Sequence, residues 1–326
     1  MQKTIARINL SAIRQNALHL RHISNGASLY AVVKADAYGH GAVQVARSLS
    51  SVADMFCVAI AEEGAELRIS GISLPILVFT PPLDRDDAVR MAAYNLTATV
   101  ADERSARLSR GLNVHIKVNT GMNRYGCPPD GLPSLIEKLG YCRVQGVYSH
   151  LYAPRSRQHC SEQLAAFSHC VRLVKRRYPA ASAHLAATAG IFLGNGYLFD
   201  AVRPGIGLYG YLPEGFSDEQ LRPALKVYAR RVQTFRPPVG GGCGYMPAQR
   251  QYSSLSSYRA GYADGFSRTV CLGEGRLCMD SFISEDCADE LCIFSDADSY
   301  SAKCNTISYE ALCAVTKRSL RVYEQG

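Results

Sequence analysis

The sequence predicts an α/β protein: a closed parallel (β/α)8 barrel of the TIM type, followed by a mostly β C-terminal domain. Eight short, β-rich apolar runs alternate with amphipathic stretches in the first two-thirds of the chain. This alternation is typical of parallel strands joined by helices. After about residue 226, Tyr, Ser, Gly and Cys become frequent and the helical period fades, which favours short strands. We therefore expect a barrel over residues 10–225 and a β domain over residues 226–326.

The predicted barrel strands are short apolar runs bounded by polar or turn residues. They cover residues 30–33, 56–60, 76–79, 97–100, 114–118, 144–149, 182–186 and 199–202. Helices are expected at residues 10–22, 44–49, 61–68, 86–94, 101–110, 132–139 and 162–177, with an eighth near 217–224. Asn9 is a suitable N-cap for the first helix. Spacing alone leaves an open, doubly wound sheet as the alternative architecture.

The composition is that of an ordinary globular protein, with 47% hydrophobic and 20% charged residues among 326. The longest apolar run, residues 74–79, falls far short of the roughly 20 residues that span a bilayer. The N-terminal segment lacks the apolar core of a signal peptide. We therefore expect a cytoplasmic protein with no membrane partner.

The net charge of +8 arises from basic residues that are scattered along the chain, with no run longer than residues 175–177. A nucleic-acid partner is therefore not expected, whereas a mild positive field would attract an anionic substrate or cofactor. The twelve cysteines show no CxxC spacing. We expect reduced, mostly buried thiols and no bound metal, with a zinc site in the C-terminal third as the lesser alternative.

The strongest chemical signal is Lys34, which directly follows the first predicted strand in the segment LYAVVKADAYGHG (residues 29–41). Working residues of such barrels lie where strands end. A lysine at the mouth of an apolar barrel is partly desolvated, so we expect a lowered pKa that frees its amine to form a Schiff base. The alternative is a lysine whose head extends past the rim into water. Tyr38 follows in a glycine-rich turn, where its hydroxyl suits a phosphate contact.

Four more segments place chemically useful residues around strand ends. They are Lys117 and Arg124 around the fifth predicted strand, His150 after the sixth, Thr188 after the seventh, and Arg203 with Gly205 after the eighth. The glycine allows the backbone to approach an anion closely. A single histidine at a strand end is more often structural. Five segments of this kind, that of Lys34 included, indicate a shared site.

These segments resemble those of the alanine racemases. AVVKADAYGHG is similar to the pyridoxal-phosphate attachment motif of that family, and the later segments follow the family's order. They are TGMNR, the Ser-His pair at residues 149–150, RPGI-LYG from residue 203, GYADG at residues 261–265, Met279-Asp280, and SYE at residues 308–310. The resemblance covers essentially the whole chain. It implies a (β/α)8 barrel and a C-terminal β domain that also takes in residues 1–9.

The resemblance implies a pyridoxal 5'-phosphate site with two opposed catalytic bases, Lys34 and Tyr262. Lys34 also holds the cofactor as a Schiff base, Arg203 faces its pyridine nitrogen, and His150 supports the ring. The implied phosphate contacts are Tyr38, Thr188, Gly205, Ile206 and Tyr309. The implied substrate contacts are Arg124, which faces the phenolic oxygen, and the backbone amide of Met279. Lys117 resembles a lysine that is often carbamylated and orients that arginine.

Racemisation requires a proton to leave one face of the α-carbon and return on the other. Both implied bases have ordinary pKa values near ~10, so both must be lowered towards neutrality. A guanidinium keeps its proton, so Arg203 would leave the pyridine nitrogen largely unprotonated and the cofactor a weaker electron sink.

The implied activity is the interconversion of L- and D-alanine, which supplies D-alanine for cell-wall peptidoglycan. It takes place in a homodimer whose partner subunit supplies Tyr262. One alternative is a racemase of the same fold for another small amino acid, such as serine. The other is a non-catalytic protein of pyridoxal-phosphate homeostasis, a type that lacks both the β domain and the GYADG tyrosine.

The sequence departs from the family pattern in four places. Ala187-Thr188 stands where Asn-Ser is usual, and Asn119 stands where an aspartate is usual. The interval from Arg268 to Met279 is compressed, and the stretch 283–308 is short. We expect a trimmed β domain that loosens the dimer or widens the entrance to the site.

Overall fold

Two compact units make up the described chain, residues 4–325 of this computed structural model. The larger unit contains residues 13–37 and 42–221, and the other contains residues 4–12, 38–41 and 222–325. This division groups residues 38–41 with the C-terminal residues, whereas the barrel predicted from the sequence runs unbroken from residue 10 to 225. Within residues 4–325, no helix is long and apolar enough to cross a membrane.

Eight parallel strands form the barrel of the larger unit. They follow β1 (Ile5–Asn9) and are β2 (Ser28–Val32), β3 (Met55–Val58), β4 (Ile76–Val78), β5 (Ala98–Val100), β6 (Asn113–Lys117), β7 (Arg143–Tyr148), β8 (Ser182–Ala187) and β9 (Ala201–Arg203). They pair in the order β4-β3-β2-β9-β8-β7-β6-β5. The barrel closes where Thr97 accepts a hydrogen bond from Val78 N–H (2.9 Å) and donates one to the carbonyl of Ile76 (2.8 Å). Closure confirms the predicted barrel and excludes the open sheet.

The helices of the larger unit alternate with the strands, as predicted. They are α1 (Leu10–Ile23), α2 (Ala42–Leu49), α3 (Ala61–Ile69), α4 (Arg85–Ala93), α5 (Glu103–Leu108), α6 (Leu132–Glu137), α7 (Arg157–Arg177) and the short α8 (Thr188–Ile191). The side chain of Asn9 accepts a hydrogen bond from Ala12 N–H (2.8 Å), as expected of an N-cap. Ser156 caps the N–H of His159 (3.3 Å), which starts α7 at residue 157 rather than 162.

The helix predicted near residues 217–224 is wrong, because these residues form loops and turns. The first helix, α1, instead packs against the segment that follows the last barrel strand. Asn16 Nδ2 donates to the carbonyl of Leu208 (3.1 Å), and His19 Nε2 lies 2.8 Å from a carboxylate oxygen of Asp218. Since α1 already covers this part of the barrel, only a short 3-10 helix (Ile206–Tyr209) and loops follow β9.

The other unit is built on a mixed sheet with the strand order β14-β13-β10-β1-β16, in which β15 also pairs with β10. Its strands are β10 (Leu225–Phe235), β13 (Leu255–Arg259), β14 (Phe282–Ser284), β15 (Glu290–Phe294) and β16 (Leu320–Glu324), beside the hairpin of β11 (Gly242–Cys243) and β12 (Met246–Pro247). The stacked rings of Tyr258 and Phe282, with centroids 5.3 Å apart, lie in its core. The mostly β character is confirmed, although α9 (Ala297–Cys304) and α10 (Ser308–Val315) were not predicted.

Only five of the twelve cysteines are buried and four are exposed, so the expectation of mostly buried thiols is wrong. Four of the buried thiols lie in the barrel unit, which has the larger core. The exposed ones all lie in the smaller unit, where helix faces and sheet edges remain open to solvent: Cys271, Cys287, Cys292 and Cys313.

Candidate active site

Lys34 begins a left-handed turn that directly follows β2. Residues 35–38 all have φ between 52° and 53°, a conformation that costs ordinary L-residues about 1–2 kcal/mol each. The Asp36 carboxylate accepts a hydrogen bond from Ala42 N–H (2.8 Å) and so joins the turn to the start of α2. Lys34 itself is half-buried. The predicted lysine therefore lies at the carboxyl end of a barrel strand, on backbone that only surrounding contacts can hold.

Tyr38 and Tyr309 lie side by side in the smaller unit. Their ring centroids are 6.0 Å apart, and Tyr38 is buried. Burial raises the pKa of Tyr309 to about 12, so its hydroxyl stays protonated and can donate to an anion. Gly39 lets the chain next to Tyr38 pass close to the helix that carries Tyr309, because a Cβ at position 39 would lie 2.5 Å from the carbonyl oxygen of Leu312. The φ of Gly39, +83°, also favours glycine. Two residues predicted to contact a phosphate are thus brought together.

Arg203 is a buried charged group of the barrel, with 2% of its surface exposed, and four hydrogen bonds hold its guanidinium. Its Nη1 donates to Nδ1 (2.7 Å) and to the carbonyl (2.8 Å) of His184. Its Nη2 donates to the carbonyls of Ser149 (2.6 Å) and Leu185 (3.0 Å). Among residues 4–325, Nε of Arg203 forms no hydrogen bond. The guanidinium is therefore fixed in direction and keeps one N–H available.

Two buried histidines that the sequence analysis did not select extend this network. His184 Nε2 lies 2.8 Å from His115 Nδ1. Burial, reinforced by the charge of Arg203, lowers the pKa of His115 to about 3 and that of His184 well below its ordinary value. Because a guanidinium only donates, Nδ1 of His184 is the acceptor and its Nε2–H donates to His115. The one available signal was a histidine inside each of two otherwise apolar strands, β6 and β8.

Thr188 joins the end of β8 to the loop that follows β9. Its buried hydroxyl oxygen accepts hydrogen bonds from the N–H groups of Gly205 (3.1 Å) and Gly207 (3.2 Å). A Cβ at position 207 would lie 2.8 Å from Thr188 Cγ2, so that position requires a glycine. With both acceptor positions used, the hydroxyl of Thr188 is left as a donor. Three of the predicted phosphate contacts, Thr188, Gly205 and Ile206, therefore lie together.

Lys117 is buried at the end of β6, with 2% of its surface exposed. Its ammonium group donates to the carbonyl of Val118 (2.9 Å) and lies 5.4 Å from the ring centroid of Tyr148, a ring that Arg203 also faces at 5.2 Å. Burial, together with the charges of Arg203 and Arg124, lowers the pKa of Lys117 to about 7. The amine is therefore partly neutral near physiological pH.

His150 lies among several positively charged side chains at this end of the barrel. Burial lowers the pKa of its imidazole well below the ordinary value, and nearby cations lower it further. These cations are Arg203, Lys117, Arg124 and Lys34. Arg124 is exposed on the loop after β6, where it faces the ring of Tyr125 at 5.2 Å. The barrel residues predicted from the sequence thus influence one another electrostatically, and an anion would be favoured among them.

Tyr262 and Met279 lie together in the smaller unit. Tyr262 N–H donates to the carbonyl of Cys278 (3.1 Å), and Ala263 N–H donates to that of Met279 (3.0 Å). Gly261 makes this contact possible, since a Cβ there would lie 2.1 Å from the carbonyl oxygen of Met279. The side chains remain open: Tyr262 is 38% exposed and Met279 is 52% exposed. The segments that carry Tyr262 and Met279 are therefore joined by backbone hydrogen bonds.

A closed barrel with an amine, a buried guanidinium and a buried hydroxyl at its strand ends is the arrangement of a barrel enzyme that acts at the carboxyl ends of its strands. Residues 8–213 match the family model described as alanine racemase, N-terminal domain. The chain belongs to the alanine racemase family, a family of isomerases.

Similar proteins span nearly the whole chain. An alanine racemase of Desulfovibrio desulfuricans is 34% identical, with 98% of this chain and 97% of that protein aligned. The solved alanine racemase of Clostridium difficile 630 superimposes with a TM-score of 0.88 at 28% identity, over 100% of this chain and 96% of that one. An alanine racemase of Bartonella henselae, solved with covalently bound pyridoxal phosphate, gives a TM-score of 0.85 at 26% identity, over 99% of this chain and 100% of that one.

The alignment also shows that this chain is shorter than its relative. It covers 367 positions against a chain of 326 residues, which leaves at least 41 positions without a counterpart here. In the structure, the segment between Gly265 and Phe282 consists of turns and one isolated bridge, between Glu274 and Ile283. The compressed interval read from the sequence is thus a loop that leads directly to Met279.

Proposed function

We propose that this protein is a pyridoxal-phosphate-dependent racemase that interconverts L- and D-alanine. The observation that carries the proposal is the placement of Lys34 after β2 and of Arg203 at the end of the adjacent strand β9, where the four hydrogen bonds of the buried guanidinium leave only Nε for a ligand. Membership of the alanine racemase family supports the reaction and the substrate. The D-alanine formed would serve the synthesis of cell-wall peptidoglycan.

The residues present fit this cofactor. The hydroxyl of Thr188 keeps a donor after accepting from the N–H groups of Gly205 and Gly207, and Tyr309 supplies a protonated hydroxyl beside the ring of Tyr38. We assign these three groups, with the backbone at Gly205 and Ile206, to the phosphate. When bound, pyridoxal phosphate supplies an aldehyde that condenses with an amine and a ring that acidifies the substrate's α-carbon. Lys34 is the amine that holds it, and His150 supports the ring.

Arg203 would set the electronic character of the site. Its Nη groups are committed to His184 and to two backbone carbonyls, so only Nε can address the ring nitrogen. A guanidinium donates a hydrogen bond without giving up its proton, which leaves that nitrogen largely unprotonated. This limits the stabilisation of negative charge at the α-carbon and favours prompt return of the proton.

The proton itself is moved by two bases. Lys34 acts on one face of the α-carbon, and Tyr262 of the partner subunit acts on the other. The exposed Tyr262 ring is available for such a contact with a second subunit. Both groups must lose a proton near neutral pH for this mechanism to operate. Arg124 and the backbone of Met279 would orient the substrate carboxylate and the cofactor's phenolic oxygen.

Lys117 would carry a carbamate. Its partly neutral amine can attack carbon dioxide, forming an N–C bond and releasing one proton. The resulting anion would replace the cation now beside Arg124 and would orient that guanidinium. Asn119, which replaces the usual aspartate two residues on, does not supply a competing negative charge.

The proposed function is tested by incubating the protein, with added pyridoxal phosphate, with a panel of small L-amino acids and measuring each D-enantiomer by chiral chromatography. We expect D-alanine to form fastest, and L-alanine to form from D-alanine. Preferential conversion of serine would reassign the substrate. Absence of racemisation by a protein that still binds the cofactor would reject the proposed activity.

A further inference from the structure

The turn that carries Lys34 is unfavourable on its own. Residues 35–38 are all left-handed and none is a glycine, whereas single left-handed residues of other types are already uncommon in proteins. Such a run persists only where neighbouring groups over-determine it. The contacts that hold this turn therefore decide where Lys34 points.

Glu63, in the first turn of α3, holds the start of this turn. Its Oε1 accepts a hydrogen bond from Ala35 N–H (2.6 Å), and its Oε2 accepts one from Ala59 N–H (2.7 Å). Ala35 follows β2 and Ala59 follows the neighbouring strand β3. A single carboxylate therefore joins the ends of two adjacent barrel strands, one of which carries Lys34.

We propose that Glu63 is a positioning residue that holds the left-handed turn and thereby aims Lys34 at the cofactor. This proposal rests on the proposed function only in taking pyridoxal phosphate as the cofactor. The two hydrogen bonds of Glu63, which we call the clamp, belong to the polypeptide alone. Fixing Ala35 N–H fixes the peptide plane shared with Lys34, and with it the direction of the Lys34 side chain. Hydrogen bonds to a charged acceptor are about twice as strong as neutral ones, which suits a segment under strain.

A carboxylate is required because both partners are donors. A glutamine side chain has only one oxygen that can accept a hydrogen bond. Its NH2 group would face the second backbone N–H, and two donors cannot bond to each other. Glu63→Gln therefore removes one of the two bonds while preserving size. Glu62 supplies the matched control, since it lies next to Glu63 in the same helical turn and instead pairs with Arg90 on the surface.

The first measurement is amide hydrogen exchange in the cofactor-free protein. In Glu63→Gln the amide that loses its bond, that of Ala35 or that of Ala59, should exchange roughly tenfold faster or more, and the other should also exchange faster because its remaining acceptor is neutral. Glu62→Gln should leave both rates unchanged. Equal exchange at Ala35 in the wild type and Glu63→Gln would overturn the clamp.

The second measurement is the affinity for pyridoxal phosphate by equilibrium dialysis, followed by kcat and KM. We expect Glu63→Gln to weaken cofactor binding by about tenfold and to lower kcat with little change in KM, because Lys34 is misdirected. Adding Ala35→Gly should restore much of both, since glycine adopts positive φ without a Cβ penalty. A merely structural defect in α3 would not be rescued by a change in the turn.

Two outcomes would overturn the proposal: a Glu63→Gln protein that binds the cofactor like the wild type, or a double variant no better than Glu63→Gln alone. If Glu63→Gln does not fold, Glu63→Asp, which retains the charge but withdraws it by one methylene, supports the same comparison. Failure of the proposed function would look different: the wild type would neither bind pyridoxal phosphate nor racemise alanine, while the exchange rates would still decide whether Glu63 holds the turn.

Discussion

The barrel residues and the C-terminal residues of the candidate site differ in how they are held. Arg203, His184 and Thr188 are buried and joined by side-chain hydrogen bonds. Tyr262 and Met279 are fixed through their backbones and expose 38% and 52% of their surface. Among the groups assigned to the cofactor, those of the barrel are thus held by buried hydrogen bonds, whereas the side chains of Tyr262 and Met279 are open to contact with a further surface. We interpret the second set as the part of the site that a partner subunit completes.

The largest effect is expected from Lys34→Ala, which removes both the amine that holds the cofactor and one base. Racemisation should fall by more than about 10⁴-fold. The wild type should have a visible absorption band with pyridoxal phosphate, and borohydride reduction followed by peptide mapping should place the label on Lys34. A label on any other lysine would overturn the assignment of the barrel residues.

Replacing Tyr262 tests the role proposed for the exposed residues of the smaller unit. Tyr262→Phe should lower racemisation by about 10²–10⁴-fold while the cofactor remains bound, because the barrel groups are untouched. Proton transfer on the Lys34 face should survive, so the α-proton of only one enantiomer should exchange with solvent deuterium. Equal loss of exchange for both enantiomers would argue against two opposed bases.

Mixing the two variants tests whether the exposed residues act on a second chain. Lys34→Ala and Tyr262→Phe should each be inactive alone. After subunit exchange, a heterodimer has one site with both bases, so activity should return to about half that of a wild-type dimer. Sedimentation of the same mixture provides the control for dimer formation. An active wild-type monomer would show that Tyr262 works within its own chain.

The burial of Lys117 should have a smaller effect, on how the free energy of unfolding depends on pH. Its pKa is lowered to about 7 from an ordinary value of about 10.4. Between these values the unfolded chain binds one proton more than the folded protein, so the free energy of unfolding should rise with pH. The slope can reach about 1.4 kcal/mol per pH unit. Urea denaturation in carbon-dioxide-free buffers, with Lys117→Met as the reference, measures it. The same slope in both proteins would mean that Lys117 is not desolvated.

Local patterns were enough to predict the barrel and to select Lys34 and Arg203. Each strand is an apolar run that ends at a polar residue, and the carboxyl ends of parallel strands meet at one end of a barrel. Residues that follow such runs therefore come together even when they are far apart in sequence, as Lys34 and Arg203 are. The expected eighth helix failed because the alternation of strands and helices cannot show that α1, at the other end of the chain, already occupies that place.

The sequence by itself determined the order of strands and helices and the residue types at the strand ends, because both depend on near neighbours. Only the tertiary structure decided the left-handed backbone after Lys34 and the chain of hydrogen bonds from Arg203 through His184 to His115. Ala35 and Ala37 have no intrinsic preference for positive φ, and His115 and His184 lie 69 residues apart. Strain and buried polar contacts of this kind are stable only when distant parts of the chain supply their partners.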